Sequence, residues 1–410
     1  MPPLKIAIIG AGPAGCMLAR LLLQPLSPSE ITLTVFESEP TPDYRSQGGT
    51  LDLHPSTGLK AMKKSGLHDE FMKYARYESA TMRVVDKNLK TYFRVPESKG
   101  VGNPEIDRAQ LRQLLMESLP KEIINWGFKL KRVEEKDHSL HFENGEVRNV
   151  NGEEFDLIVG ADGAWSRVRA VIDDTKPLYS GVTRYWTTIP KAETEAPEVV
   201  SLINRGNLFS YGDGSAIIGQ QMFDGSVDVS IGFTQEELKE VEITTTEEIL
   251  KRLEGWDERL LGIIKKAESK VIGKSLYVLP VGYTWKHRAG ITIIGDAAHL
   301  ITPFGGEGVN IAFEDSVRVS DAIIKAVKGE GKDDLDKNVR AFEVDMWKRA
   351  KGAAIMSTKM GEAMFMTPGA PRTSIERWLL AKVKHEAPAV VYPLAVAIIY
   401  TGFFVYKLFN

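Results

Sequence analysis

The sequence predicts an α/β (α+β) fold: a Rossmann-like dinucleotide-binding domain, a sheet-rich domain inserted into it, and a C-terminal helical segment. Three separated segments predict this. The first is Gly10-Ala11-Gly12-Pro13-Ala14-Gly15, and the second is Asp156-Leu157-Ile158-Val159-Gly160-Ala161-Asp162-Gly163. The third is Gly295-Asp296-Ala297-Ala298-His299, followed by Pro303-Phe304-Gly305-Gly306-Glu307-Gly308-Val309-Asn310. In this order and at this separation they describe one site, which would hold FAD in an extended shape.

Leu4 to Ile9 is a short apolar run that suits a buried parallel strand. The glycines follow at once, and Cys16 to Leu23 continues as an apolar helix. Gly10 allows the tight turn, Gly12 lets the backbone approach a pyrophosphate, and Gly15 lets helix and strand pack closely, with Ala14 between them. The helix N-terminus offers N–H groups and the positive end of its dipole to the phosphates. A second strand, Ile31 to Phe36, ends in Glu37, placed to accept hydrogen bonds from the adenosine ribose. Pro25 and Pro28 lie in a long loop that accounts for the wide spacing between the glycines and this acid.

Further along, Thr57–Ser65 predicts a helix and Thr81 to Arg94 alternates as strands. Ile106 to Leu119 predicts a strong helix, and Glu146 to Ala161 a hairpin or turn that leads into a buried strand. From about 175 to 285 the alternation changes to that of a sheet, as in Val227-Asp228-Val229-Ser230-Ile231-Gly232-Phe233. Thr244 to Lys266 is expected to be helical, Ile291 to Ile294 a buried strand, and Glu314 to Val327 a helix. The dinucleotide domain is thus expected to be discontinuous, over 1–72, 101–174 and 286–325. The inserted substrate domain would take 73–100 and 175–285, and C-terminal helices 326–410.

Asp296 follows a strand and opens a turn, where a carboxylate can accept from the ribityl hydroxyls or from backbone N–H groups. Gly305, Gly306, Gly308, Val309 and Asn310 open a helix whose N–H groups can meet the flavin N1–C2 edge, where negative charge collects on reduction. Glycine suits a flat ring lying on the main chain, and Pro303 restricts the loop. His299 is read as a structural histidine.

Composition narrows the partners. The chain has 410 residues, 26% charged and 43% hydrophobic, with a net charge of −3, so no basic stripe marks a nucleic-acid surface. The only cysteine, Cys16, excludes disulfides and cysteine-based metal sites, and is read as a small buried hydrophobe. No metal site is expected. The first apolar run lacks a cleavage site and is read as a strand, which suggests a cytoplasmic chain. Ala387 to Tyr406 carries no charge. Its prolines and tyrosines favour a helix packed on the protein or a flap over the site, with membrane association as the alternative. A monomer is expected.

The residues resemble the single-component FAD-dependent monooxygenases of the para-hydroxybenzoate hydroxylase type, and within them the tetracycline-inactivating enzymes. The matching stretches are Gly48-Gly49-Thr50-Leu51-Asp52-Leu53-His54, Ala61-Met62-Lys63-Lys64, Asn103-Pro104-Glu105-Ile106 with Arg108, Leu111 and Arg112, Trp256-Asp257-Glu258-Arg259, and Gly295 to Asn310. The last 70 or so residues fit least well. The resemblance implies FAD contacts at Asp52, Arg108, Arg112, Asp296 and Gly306–Val309. It implies an NADPH link at Arg45, and a dual FAD and pyridine-nucleotide role for Asp162-Gly163 with Arg169. The alternative for Arg45 and Arg112 is a surface ion pair. With one dinucleotide fingerprint, transient NADPH (or NADH) docking is expected rather than a second nucleotide domain.

Two positions depart from the tetracycline-handling relatives, which hold substrate with a Gln and an Arg on the second domain. Those places fall at Trp186 and Asn207, and Glu307 replaces a neutral amide in the flavin turn. The implied activity is NAD(P)H- and O2-dependent hydroxylation of an aromatic or enolic polyketide, alkaloid or tetracycline-like molecule. It would run through a flavin C4a-hydroperoxide, with no catalytic triad and no metal. Such chemistry belongs to secondary metabolism or antibiotic inactivation. Candidate substrate liners are Trp186, Asn207, Tyr211, Gln221 and Phe233, with Tyr185, Phe209, Gln220 and Met222. The rivals are a flavin oxidase or dehydrogenase, a flavin-dependent halogenase, and a non-catalytic FAD-fold binding protein of the Rab-escort type.

Overall fold

A computed structural model describes residues 2–42, 48–77, 81–96, 102–149, 154–204, 206–329 and 332–409. Arg45 lies outside the described residues. The first apolar run forms the strand Leu4–Ile9, at the centre of a parallel five-stranded sheet. In order, its strands are Ile291–Ile293, Leu157–Gly160, Leu4–Ile9, Ile31–Glu37 and Ile124–Trp126. Leu4–Ile9 pairs with Leu157–Gly160 on one side and Ile31–Glu37 on the other. It is buried on both faces, which is why its residues run apolar instead of alternating. The helices Pro13–Leu23 and Gly308–Lys328 pack together over this sheet.

The second sheet has eight strands. In order they are Glu242–Thr245, Lys270–Val278, Leu178–Ile189, Val227–Thr234, Ser215–Gln221, Asn207–Gly212, Met82–Asp86 and Thr91–Val95. Its two faces serve different cores. Tyr185, Ile189, Leu208, Ile217, Val229, Ile231 and Phe233 face the helices Pro197–Ile203, Thr246–Lys251 and Glu258–Lys265. On the opposite face, Val84, Val182, Tyr211 and Ala216 meet Met356, Met360, Met364, Phe365 and Trp378 from the C-terminal helices.

The structure corrects three expectations. Thr244 to Lys266 is not one helix: Glu242–Thr245 is an edge strand, and helices span Thr246–Lys251 and Glu258–Lys265. Thr245 and Glu248 form a capping box, Gly255 turns at φ +81°, and Asp257 caps the second helix. Ile106 belongs to the short strand Glu105–Asp107, paired with Thr50–Asp52, so the helix there is Arg108–Glu117. The helix Tyr392–Phe409 is packed along one edge only. Phe403 and Tyr406 touch the core, Tyr406 donates to the Thr91 carbonyl at 2.7 Å, and Lys407 pairs with Glu376 at 2.6 Å. Leu394, Ile398, Phe404 and Leu408 on it are exposed. By length and composition this helix could span a membrane.

Phe365 anchors the C-terminal helices to the sheet: it is 4% exposed and lies 5.6 Å from the Tyr211 ring and 5.0 Å from the Phe304 ring. Replacing it with alanine is expected to cost about 3–5 kcal/mol. Denaturant unfolding of Phe365→Ala against the parent chain measures this.

Candidate functional site

The three glycine-rich segments meet. A Cβ on Gly10, whose φ is +107°, would lie 2.4 Å from the Ala161 carbonyl oxygen. One on Gly295 would lie 3.3 Å from the Ala14 Cβ. Ser316 donates to the Ala14 carbonyl at 2.9 Å, joining the helix of the third segment to that of the first. Arg169 stitches the second segment to the third by donating to Ala164 at 2.7 Å and Ala297 at 2.9 Å. These contacts outline a groove across the carboxyl ends of the parallel strands, the usual ligand position for such sheets.

At one end of the groove, no side chain caps the start of the helix Pro13–Leu23, which leaves its first N–H groups for a ligand. A Cβ on Gly12 or Gly163 would meet nothing within 4 Å, so the backbone there is open to close approach. Glu37 accepts from the N–H of Ala11 at 2.7 Å and of Glu39 at 2.9 Å, holding the end of its strand against the glycine turn. Arg112 is buried in an ion pair with Glu39, not at the surface. Cys16 is inert: burial, then the charge of Glu37, pushes its thiol up to about 12.

At the other end, Gly306 adopts φ +71° beside Asp52, whose Oδ1 would lie 3.3 Å from an added Cβ. No side chain caps the helix Gly308–Lys328, and Gly308 is open. Asp296 is exposed at the start of a short helix, with Arg108 and His299 as its charged neighbours. Asp52 pairs with His54 at 3.0 Å, and His54 lies 3.6 Å from Glu307. Burial alone would push the Asp52 carboxyl up, but the hydrogen bond and charge of His54 outweigh it and the net shift is downward. Two uncapped helix starts and an open glycine flank form a donor set suited to a pyrophosphate at one end and a carbonyl-bearing ring at the other. That is the demand of an extended FAD.

Several expected cofactor contacts have their side chains committed to protein instead. Asn310 is fully buried: its amide accepts from the His54 N–H at 2.8 Å and donates to the Asp52 carbonyl at 2.9 Å, so it locks the turn in place. Asp162 accepts from Ser166 at 2.5 Å and from the Arg167 N–H at 2.7 Å, capping its own loop. Gly305 also faces the long helix Lys332–Gly361, where an added Cβ would lie 2.7 Å from the Met356 methyl and 3.4 Å from the Ser357 Cβ. Pro303 starts the single turn Pro303–Gly305, and Val309 packs partly on the nucleotide-domain core. His299 is structural, as expected, hydrogen-bonded to the fully buried Asp315, which also accepts from the Gly295 N–H.

The eight-stranded sheet meets the groove in cross-strand rows. One row is Thr188, Asp228, Gln220 and Asn207; the next is Trp186, Ser230, Ile218 and Phe209; the third is Arg184, Gly232, Ala216 and Tyr211. Gly48 to Thr50 close over the first row: a Cβ on Gly48 would lie 2.6 Å from Asp228 Oδ1, and Gln220 donates to Thr50 at 3.0 Å. Phe365 closes over the third. Among the expected liners, Trp186, Asn207, Phe209, Tyr211 and Gln220 lie on this face.

Phe233, Tyr185 and Gln221 do not. Phe233 and Tyr185 sit in the helix-backed core, and Gln221 bonds Glu193 at 3.3 Å on that side. Met222 lies in the turn beyond the strand. The alternation itself carried the signal: Val227, Val229, Ile231 and Phe233 form the apolar set, so Asp228 and Ser230 must face the other way. Arg184 and Asp228 were missed for this reason, whereas Glu105 stands on the short strand Glu105–Asp107, where only its tertiary contact with Asn207 marks it out.

Glu105 ties the short strand Glu105–Asp107 to the eight-stranded sheet, accepting from Asn207 at 2.5 Å. Burial, then the charge of Asp52, pushes its carboxyl up to about 8. The folded state therefore favours the protonated acid, and stability falls as pH rises from its ordinary value near 4.5 toward 8. Glu105→Gln should gain stability over the parent as pH rises from 6 to 8, by on the order of 1–2 kcal/mol. Thermal melts at the two pH values measure it; an unchanged difference would show that Glu105 is ionised in the folded protein.

Residues 4–340 match the family described as FAD binding domain. The monooxygenase penA of Penicillium thymicola is 32% identical over 404 residues, covering 85% of this chain and 92% of that one. Among solved structures, a salicylate hydroxylase substrate complex superposes with a TM-score of 0.74 at 18% identity, covering 97% of this chain and 98% of that chain. The tetracycline destructase Tet(51) superposes with a TM-score of 0.68 at 16% identity, covering 95% of this chain and 98% of that chain. The groove is therefore an FAD site, and the chain belongs to the FAD-dependent monooxygenases of the para-hydroxybenzoate hydroxylase type.

Proposed function

We propose that the enzyme uses NAD(P)H and O2 to hydroxylate an aromatic or enolic small molecule of the polyketide, alkaloid or tetracycline-like kind. One observation supports this above the others: Gly48 to Thr50 close over the first row of the eight-stranded sheet and Phe365, packed on Phe304 of the flavin turn, over the third, and the middle row between them carries Trp186 and Phe209 beside Ser230. FAD, reduced by the nicotinamide, supplies the oxygen activation. The chain supplies position. The uncapped N–H groups at Gly308 and Val309 hold the flavin carbonyl edge, and Asp296 and Asp52 hold hydroxyls. Phe365, Trp186 and Phe209 limit water, which protects a reactive cofactor from wasteful discharge.

On this reading 1–72, 101–174 and 286–325 carry the cofactor, and 73–100 and 175–285 carry the substrate. Arg45 belongs to the nicotinamide approach, and Asp162 and Arg169 shape the loops beside the open Gly163. Trp186 and Asn207, standing where tetracycline-handling relatives have Gln and Arg, direct the preference away from tetracycline itself. Small molecule and O2 are the partners of a monomeric chain.

The test is the visible spectrum of the FAD-loaded protein under anaerobic NADPH or NADH. Aromatic polyketides, indoles and tetracyclines are then added in turn. Bleaching accelerated by one class, with oxygen incorporated on readmission of air, is expected. A flavin that neither nicotinamide bleaches under any condition would refute the reading in favour of an oxidase or a partner-reduced enzyme.

A further inference from the structure

Two opposite charges face the same floor without meeting. Asp228 is 8% exposed, yet it has no hydrogen-bond or ion-pair partner among the described residues. Its charged neighbours are Arg184, Arg108 and Asp107. Arg184 stands two rows away, its guanidinium 5.4 Å from the Trp186 ring centre and its Nε donating to the Ser230 hydroxyl at 2.7 Å. Arg184 and Asp228 lie within electrostatic reach of each other and form no ion pair.

The strand register explains the separation. Asp228 and Ser230 are two residues apart on one strand, a step of roughly 7 Å, and Arg184 pairs one step further on, opposite Gly232. Ser230 and Trp186 tether the arginine, while Gly48 and Gly49 crowd the carboxylate from above. A buried carboxylate without a partner is costly, and the half-buried guanidinium, tethered by one nitrogen, has donors left to offer. A ligand group between them would satisfy both.

We propose that Arg184 and Asp228 are the specificity-determining pair for the substrate. It is a planar aromatic molecule lying on Trp186, Ser230 and Phe209, with an anionic or carbonyl oxygen toward Arg184 and a hydroxyl or N–H donor at its far end toward Asp228. This rests on the reading that substrate occupies this face. It assigns to Arg184 the anion-recognising part that Asn207, in the carboxylate's own row two strands over and bonded to Glu105 and Gln220, cannot take. Arginine suits the task because its planar fork can hold an oxygen while one edge stays anchored.

The test titrates the FAD-loaded protein, without nicotinamide, with 6-hydroxy-2-naphthoate, 2-naphthoate and 2-naphthol, following the flavin absorption band. The parent protein should bind the first at least about tenfold more tightly than either of the others, as expected for a site built to pair both ends. Arg184→Gln should remove the advantage given by the carboxylate, and Asp228→Asn the advantage given by the hydroxyl. Ser230→Ala, which frees the arginine, should weaken binding of the two carboxylates and leave 2-naphthol unchanged; it serves where either charge variant fails to hold FAD. Equal affinity for the three probes, no binding of any, or variants that bind like the parent would overturn the assignment. Binding as expected in a protein that never consumes NAD(P)H would leave the pair standing and refute the hydroxylase reading instead.

Discussion

Backbone must touch backbone at the centre of this molecule. Gly10 rests against the Ala161 carbonyl, and a Cβ on Gly15 would lie 2.0 Å from the Gly10 carbonyl oxygen. Nothing larger than hydrogen fits at either place. Because these approaches bring the parallel strands and the helix Pro13–Leu23 together, the uncapped helix start, the Glu37 carboxylate and the Asp296 turn all open on one groove. A different packing at this point would separate the donors, and no set of side chains could replace them.

Around that contact, buried charges act as spacers. Asp315 accepts from both His299 and the Gly295 N–H and also pairs with Arg349 at 3.0 Å, tying the third glycine segment to the long C-terminal helix. Arg169 holds two loops by their carbonyls, and Arg112 pairs with Glu39 under the adenosine end. Breaking such a pair leaves an uncompensated buried charge, so these residues secure geometry more than they add stability.

What the sequence made legible was what local pattern encodes. The apolar run before Gly10 could only be a buried strand, and the glycine spacing announced the turn, so the cofactor groove could be read in some detail. The substrate face could not. Alternation in Val227–Phe233 says that the strand has two faces, but not which face meets the groove, and bulky aromatics attract the eye to the wrong one. Phe233 and Tyr185 pack on helices, and the polar positions between them face the site. Asn310 and Asp162 show a second limit. A polar residue inside a binding motif can be there to shape the loop, and only its partners distinguish the two roles.

The groove is assembled from residues near 10, 160 and 295, brought together by the Gly10–Ala161 and Ala14–Gly295 contacts. On a ribosome, the first fingerprint therefore emerges long before its partners exist. At about 5–20 residues per second, the interval before the third segment appears is roughly 15–60 s. FAD capture is thus a late step in the life of the nascent chain, and the early strand Leu4–Ile9, apolar on both faces, has to be shielded until Leu157–Gly160 arrives to pair with it.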